Sequence, residues 1–149
     1  MKKKIFIPVI IMSMFALAIF TQCSSSSKKK GNDSTGISQK NIVEVYYFHG
    51  DRRCKTCIAV GEQSKKAVEE NFKDEILKKK VSYKEVNVDR KENDSLATKF
   101  QVSGSGLFIR SVKNGKETIE DLTELAFLNA LGNPDTLIST IKTKVRKGL

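Results

Sequence analysis

The sequence lacks tryptophan and has few residues that could bind a metal. Its 149 residues include one histidine and three cysteines. Structural zinc sites usually take four cysteine or histidine ligands. At most three such side chains lie near one another along the chain, namely His49, Cys54 and Cys57. A structural zinc site is therefore disfavoured. We also expect no cofactor, because no flavin-binding signature is visible.

No apolar run reaches the length of about 20 residues that a comfortable membrane-spanning helix needs. The run from Ile5 to Phe20 follows three lysines and ends abruptly in polar sequence, which is the order of a secretory signal peptide. We predict a signal peptide over residues 1–22. The following Cys23 resembles the lipidated cysteine of bacterial lipoproteins, although Gln22 stands where a small residue normally precedes it. An uncleaved signal anchor is the alternative, and either one holds the exported chain at a membrane.

Residues 23–40 contain a single large apolar side chain, Ile37, among serine, lysine and glycine. Nothing there offsets the entropy of ordering, so we predict a flexible tether. Residues 41–149 are long enough to bury one core and form the predicted globular domain. The formal net charge is +10, but lysines and arginines alternate with acids, as on a solvated surface. We expect no nucleic-acid partner and some attraction to anionic lipid.

The apolar pattern of residues 41–149 predicts four strands and the helices between them. The predicted strands are Ile42–Phe48, Val81–Asp89, Gly106–Val112 and Glu117 to about Glu120. A helix from Cys54 to about Lys79, with a break near Asn71 to Asp74, joins the first two strands, and a short helix Asp94–Phe100, capped by Asp94, joins the second to the third. Two helices follow the last strand, from Leu122 to Leu131 and from Asp135 to about Lys147. Asn114-Gly115 is a strong hairpin signal, and Pro134 suits a helix start. This order predicts an α/β fold in which a right-handed parallel pair and a hairpin form one mixed four-stranded sheet.

The sequence Cys54-Lys55-Thr56-Cys57 directly follows the first strand and opens the first helix. Two helical residues three apart share one face, so the two sulfurs can meet within a turn. The positive end of the helix dipole favours the thiolate of Cys54, and neighbouring cations lower its pKa further. We assign Cys54 as the attacking thiolate and Cys57 as the resolving thiol. The supporting residues are Arg52, Arg53, Lys55 and Thr56. A structural disulfide, or a pair of inert thiols, is the alternative.

These features resemble the thioredoxin superfamily over about residues 41 to 147. Val45 to Gly50, Arg53 to Cys57, the Asn-Gly hairpin and the helix Leu122 to Leu131 resemble more narrowly a group of short bacterial proteins labelled nitrophenyl compound nitroreductase subunit ArsF. The resemblance implies a thioredoxin-like α/β fold with helices on both faces of the sheet. The nitroreductase activity is not carried over, since a dithiol alone is a poor reductant of nitro groups.

The sequence departs from thioredoxin around the two cysteines. Arg53 replaces a tryptophan, Lys55-Thr56 replaces Gly-Pro, and Phe48 replaces a buried acid, so proton transfer would need another base or water. The resemblance implies that the loop ending at Ser105 and Gly106 lines the substrate groove. Gly106 stands at or beside the position of a proline that faces the disulfide and limits metal binding.

The favoured function is that of an exported, membrane-tethered thiol-disulfide oxidoreductase that faces the periplasm or cell envelope of a bacterium. Its partners would be other exported thiol or disulfide proteins and a membrane redox donor or acceptor. A second function is binding of a soft metal or metalloid by Cys54 and Cys57, with His49 as a further ligand. A third is a non-catalytic adaptor on the same fold. For His49 itself we favour a plain hydrogen bond at the end of the strand.

Overall fold

A computed structural model describes residues 41–149. The predicted signal peptide, the tether and the lipidation site at Cys23 lie outside the described residues. The described strands are β1 (Ile42–His49), β2 (Val81–Asn87), β3 (Gly106–Lys113) and β4 (Lys116–Asp121). The described helices are α1 (Lys55–Asn71), α2 (Lys73–Leu77), α3 (Asp94–Phe100), α4 (Thr123–Asn129) and α5 (Pro134–Gly148).

The four strands form one mixed sheet in the order β2-β1-β3-β4. β1 and β2 are parallel, whereas β3 runs antiparallel to both β1 and β4. The predicted α/β fold with thioredoxin-like topology is confirmed, including the Asn-Gly hairpin. Asn114 and Gly115 both have positive φ, of 51° and 77°, as a tight turn between twisted strands requires.

Each face of the sheet carries its own core, because successive side chains of a strand point to opposite faces. Val43, Val45 and Tyr47 of β1 pack in the larger core with α1, α4 and α5. Tyr46 and Phe48 point the other way. They form a smaller aromatic core with three buried residues from β2, α3 and β3, namely Val86, Phe100 and Phe108. The prediction that β1 is covered on both faces is therefore confirmed.

Most boundaries shift by one or two residues, and two features differ from the sequence prediction for a visible reason. β2 ends at Asn87 rather than Asp89, because the chain turns there and the Arg90 N–H donates to the carbonyl of Asn87 at 3.4 Å. The prediction that Asp94 caps α3 is wrong. A 3₁₀ turn over Lys91–Asn93 precedes α3, so Asp94 is already helical and Asn93 holds the cap position, without a side-chain cap bond. Among residues 41–149, no helix is both long enough and apolar enough to cross a membrane.

The strand directions give the sheet two distinct ends. β1 and β2 finish at one end, at His49 and Asn87, and β3 begins there, with Gly106 opposite Phe48. The chain passes from this end into α1. We call it the thiol end, because α1 begins with the two cysteines.

Candidate functional site

A short turn, Gly50 to Arg53, joins β1 to α1, and residues at and just beyond the end of β2 hold it in place. The Asp51 N–H donates to Oδ2 of Asp89 at 2.7 Å. Nδ2 of Asn87 donates to Oδ1 of Asp51 at 2.7 Å. A side chain at Gly50 would place its Cβ 3.0 Å from Oδ2 of Asp89, so glycine permits this close approach. The turn that positions the cysteines is therefore fixed to the neighbouring strand.

Cys54 is the N-cap residue of α1 and Cys57 lies in its first turn. Cys54 has extended backbone angles, φ −75° and ψ 168°, and its Sγ accepts a hydrogen bond from the Cys57 N–H at 3.1 Å. The side chain of Cys54 is exposed, whereas Cys57 is buried, and both thiols are free. An attacking thiol has to be exposed to its partner, whereas a resolving thiol can be covered, and Cys54 and Cys57 have this arrangement.

The first turn of α1 lowers the pKa of the Cys54 thiol. Hydrogen bonding with the Cys57 side chain is the largest cause, followed by the Cys57 backbone N–H. The Thr56 backbone contributes as well. These groups favour the thiolate because they donate to a charged sulfur at the positive end of a helix. Thr56 thus supports the site through its backbone, whereas Arg52 and Lys55 are exposed beside it.

Arg53 folds beneath α1 and binds Glu85 of β2. Its Nη1 donates to Oε1 of Glu85 at 2.8 Å, and its guanidinium carbon lies 5.3 Å from the centre of the Tyr47 ring. Gly61 makes room for it: a Cβ there would lie 2.7 Å from Nη2 of Arg53 and 2.8 Å from the Tyr47 ring. The predicted supporting residue therefore joins the helix to the sheet.

Two tyrosines anchor the first turns of α1 to the sheet. The Tyr47 hydroxyl donates to the carbonyl oxygen of Cys57 at 2.6 Å. The Tyr83 hydroxyl donates to the carbonyl oxygen of Gly61 at 3.1 Å. Burial raises the pKa of both tyrosines, so both keep the protons that they donate. Sequence reasoning identified Tyr47 as a packing residue, which its burial confirms, but did not find this contact with the thiol motif.

Glu85 is the residue that sequence reasoning missed. It pairs with Tyr47 in the register of β1 and β2 and binds Arg53. Its Oε1 also lies 3.4 Å from Nε2 of His49. His49 donates through Nδ1 to the Gly50 carbonyl at 2.9 Å, which is the plain hydrogen bond expected at the strand end. The one signal in the sequence was an acid in the strand predicted to pair in parallel with β1.

The predicted groove residues Ser105 and Gly106 lie at the thiol end, at the start of β3. Gly106 is buried, and a Cβ there would lie 2.8 Å from the Phe108 ring and 3.0 Å from Oγ1 of Thr123. The same Thr123 oxygen accepts the Leu107 N–H at 3.1 Å. The register of β1 and β3 thus brings this loop to the sheet end that carries the cysteines, and α4 begins against it.

The contacts of His49 show whether it lies with the two cysteines as a possible metal ligand. Within residues 41–149, no three histidine, cysteine or acidic side chains come together as metal ligands. The ring of His49 stacks on Tyr47, with ring centres 5.7 Å apart, and faces Glu85. The two sulfurs of Cys54 and Cys57 are the soft ligands that this end of the sheet presents.

In comparisons with known proteins, no protein-family model matches the chain, and no curated protein matches it.

Proposed function

We propose that this chain is a thiol-disulfide oxidoreductase of the thioredoxin superfamily. The observation that carries the proposal is the exposed Cys54 sulfur at the N-cap of α1, which accepts the Cys57 N–H at 3.1 Å and has a lowered pKa. A thiolate that is both exposed and stabilised is the species that attacks disulfides. Cys57 lies one helical turn away, on the same face.

The proposed reaction has two steps. In the first, the Cys54 thiolate attacks one sulfur of a partner disulfide, which breaks that S–S bond and forms a mixed disulfide with Cys54. The released partner sulfur takes a proton from water. In the second, Cys57 loses its proton and attacks the Cys54 sulfur, releasing the second partner thiol. Two electrons pass to the partner, and Cys54 and Cys57 end as a disulfide; the reverse sequence oxidises a partner dithiol.

The proposed setting is the cell envelope of a bacterium. The signal peptide and tether suggested by residues 1–40 would hold the domain at a membrane, through lipid on Cys23 or an uncleaved anchor. Disulfides persist in such compartments. The partners would then be exported thiol or disulfide proteins, with a membrane redox donor or acceptor to restore the dithiol.

The test is a redox titration of the full chain in detergent. The protein is equilibrated in graded glutathione or dithiothreitol buffers and alkylated, and peptide mass spectrometry then reads each cysteine separately. The proposal expects Cys54 and Cys57 to titrate together as one two-electron couple, with Cys54 alkylated fastest at neutral pH. Thiols that never pair, or a disulfide that resists all but harsh reduction, would overturn the proposal.

Two variants separate the roles of the cysteines. Cys54→Ser is expected to abolish exchange with a model disulfide, because the attacking sulfur is gone. Cys57→Ser is expected to accumulate mixed disulfides at Cys54, because the resolving sulfur is gone. Exchange by Cys54→Ser at the rate of the unmodified protein would show that the mechanism is wrong.

A further inference from the structure

Four chain segments meet at the end of the domain opposite the thiol end. β1 and β2 begin there, and Val43 donates its N–H to the Lys80 carbonyl at 2.8 Å. β3 finishes there, with Val112 opposite Ile42, and turns into β4. α5 also ends there, where Nδ2 of Asn41 donates to the Leu149 carbonyl at 2.9 Å.

Exposed lysines from three of these segments share this end, which we call the basic end. They are Lys79 and Lys80 before β2, Lys113 and Lys116 at the hairpin, and Lys147 in the last turn of α5. None of the five forms an ion pair with another residue of 41–149, in contrast to Lys144, which binds Glu120. Their charges therefore act together on whatever approaches this end.

A groove of about 530 Å³ opens between the hairpin and the end of α5. Four lysines line it, namely Lys113, Lys116, Lys144 and Lys147. The hydroxyls of Ser111 and Thr118 lie in it 2.7 Å apart. Glu120 also lines the groove but is bound by Lys144. Ammonium and hydroxyl groups in one groove suit the oxygens of phosphate groups.

The acids near the basic end offset only part of its charge. Glu44 is engaged by Lys84 and Arg110, and Glu117 by Lys99 and Arg110. The side chain of Glu75, whose carbonyl accepts the Lys80 N–H, is a further negative group beside these segments. The five lysines outnumber it and leave the end positive.

We propose that the basic end docks on an anionic phospholipid surface and so directs the thiol end away from the membrane. The chain that precedes Asn41 joins the domain at the basic end, so a membrane attachment in residues 1–40 would bring this end to the lipid first. Phosphate oxygens of the headgroups then meet the lysines of the groove. The inference concerns orientation and does not depend on the thiol chemistry proposed above.

Amide hydrogen exchange of the full chain, reconstituted in lipid nanodiscs, tests the proposal. Discs of phosphatidylcholine are compared with discs that also contain phosphatidylglycerol. We expect exchange in residues 112–117 and 144–149 to slow about threefold in the anionic discs, since a bound surface exchanges only from its free fraction. Exchange in residues 50–58 should be equal in both. Raising the salt to about 0.5 M should remove the difference by screening.

Variants with equal changes in net charge test whether the slowing depends on the lysines of the basic end. Lys113→Glu with Lys116→Glu and Lys147→Glu should abolish the slowing, as should glutamine at the same positions if the glutamates disturb folding. Lys65→Glu with Lys66→Glu and Lys91→Glu, which changes the net charge equally but lies elsewhere, should preserve it. Exchange of each variant in neutral discs checks that its fold is intact.

Three outcomes would overturn the proposal. Equal exchange in neutral and anionic discs would show that the basic end does not recognise anionic lipid. Slowing at residues 50–58 would show that the thiol end faces the membrane. Equal slowing by inorganic phosphate with neutral discs would make the groove a site for free anions.

Discussion

The sulfur of Cys54 occupies the position that a serine or aspartate oxygen usually takes at the start of a helix. It accepts the Cys57 N–H at 3.1 Å and thereby satisfies one of the unpaired donors of the first turn. The same contact favours the thiolate. At the scale of one residue, helix capping and activation of the thiol are therefore a single interaction.

This coupling predicts the pH dependence of Cys54 alkylation. The midpoint of the alkylation rate should lie below 9.0, the ordinary pKa of a cysteine thiol, because hydrogen bonds hold the Cys54 pKa down. Cys57→Ala removes the largest of these causes, the Cys57 side chain, and should move the midpoint back up. Ile58→Ala, at an exposed neighbour, is the control and should leave it unchanged. An unchanged midpoint in Cys57→Ala would contradict this account.

Gly61 lets the guanidinium of Arg53 reach Glu85 beneath the helix. Alanine normally stabilises a helix interior by about 1 kcal/mol over glycine. At Gly61 its methyl group would lie 2.8 Å from the buried Tyr47 ring and 2.7 Å from Nη2 of Arg53. Since the ring has no room to move within the larger core, we expect overpacking to outweigh the helix propensity.

Gly61→Ala should therefore lower the free energy of unfolding by roughly 1–3 kcal/mol. The measurement is urea denaturation of the reduced protein. Gly104→Ala is the matched control, because nothing lies within 4 Å of its Cβ position, and its effect should stay within about 0.5 kcal/mol. A stabilised Gly61→Ala would show that Arg53 and Tyr47 do not pack as described.

At the scale of elements, a row of alternating charges crosses all four strands on the face of the aromatic core. Glu44 of β1 binds Lys84 of β2 and Arg110 of β3, and Arg110 also binds Glu117 of β4. Lys99 of α3 completes the row by binding Glu117 at 2.7 Å. The side chain of Glu44 is only 14% exposed, so its two partners are needed to offset its loss of water.

The row predicts how stability depends on pH. Burial raises the pKa of Glu44, but the bonds from Lys84 and Arg110 outweigh it, so the pKa lies below its ordinary 4.5. A carboxylate whose pKa is lowered by folding stabilises the protein fully above its unfolded pKa. That contribution is lost as the pH falls through the folded value. Stability from this residue should thus be intact at neutral pH and decline below 4.5.

Glu44→Gln tests the dependence. At neutral pH it should lower the free energy of unfolding by about 1–3 kcal/mol, because two cations lose the negative charge of their shared, half-buried partner. The difference from the unmodified protein should shrink below pH 4.5, where Glu44 itself takes up a proton. Glu69→Gln, which removes an exposed pair with Lys65, is the control and should cost at most about 0.5 kcal/mol at any pH. A pH-independent loss in Glu44→Gln would be inconsistent with the row.

The elements themselves could be predicted because their signals are local. β1 is a mostly apolar run in which only Glu44 and the final His49 are polar, the turn is Asn-Gly, and Pro134 opens α5. The cap at Asp94 was wrong because a 3₁₀ turn, which carries no strong signal, precedes it. The position of Arg53 could not be predicted either. It depends on space at Gly61 in α1 and on a carboxylate at Glu85 in β2, which meet Arg53 only after α1 packs on the sheet.

At the scale of the whole molecule, one sheet serves two cores. β1 supplies Val43, Val45 and Tyr47 to the larger core, and its alternate residues Tyr46 and Phe48 to the aromatic core. The sequence indicated that β1 was covered on both faces but did not assign which helix covered which face. Because every strand pair of the sheet includes β1 or β3, loss of either core should disturb the same backbone hydrogen bonds.

We therefore expect Phe100→Ala to destabilise the molecule as one unit. Phe100 is 4% exposed, and its ring lies 4.7 Å from that of Tyr46, 5.1 Å from Phe48 and 5.5 Å from Phe108. Its removal should lower the free energy of unfolding by roughly 3–5 kcal/mol, because the rigid rings around it cannot close the cavity. This is a large share of the 5–15 kcal/mol typical of a domain.

Urea denaturation followed by both circular dichroism and tyrosine fluorescence measures the shift and its cooperativity. Leu77→Ala, at a side chain 82% exposed, is the control and should change stability by less than about 0.5 kcal/mol. Coincident transitions from the two probes, both moved to lower urea, would show that the two cores unfold together. If Phe100→Ala separates the probes into two transitions, the sheet does not couple the cores. The face of the sheet that α3 covers would then unfold while α1 stays packed on the other face.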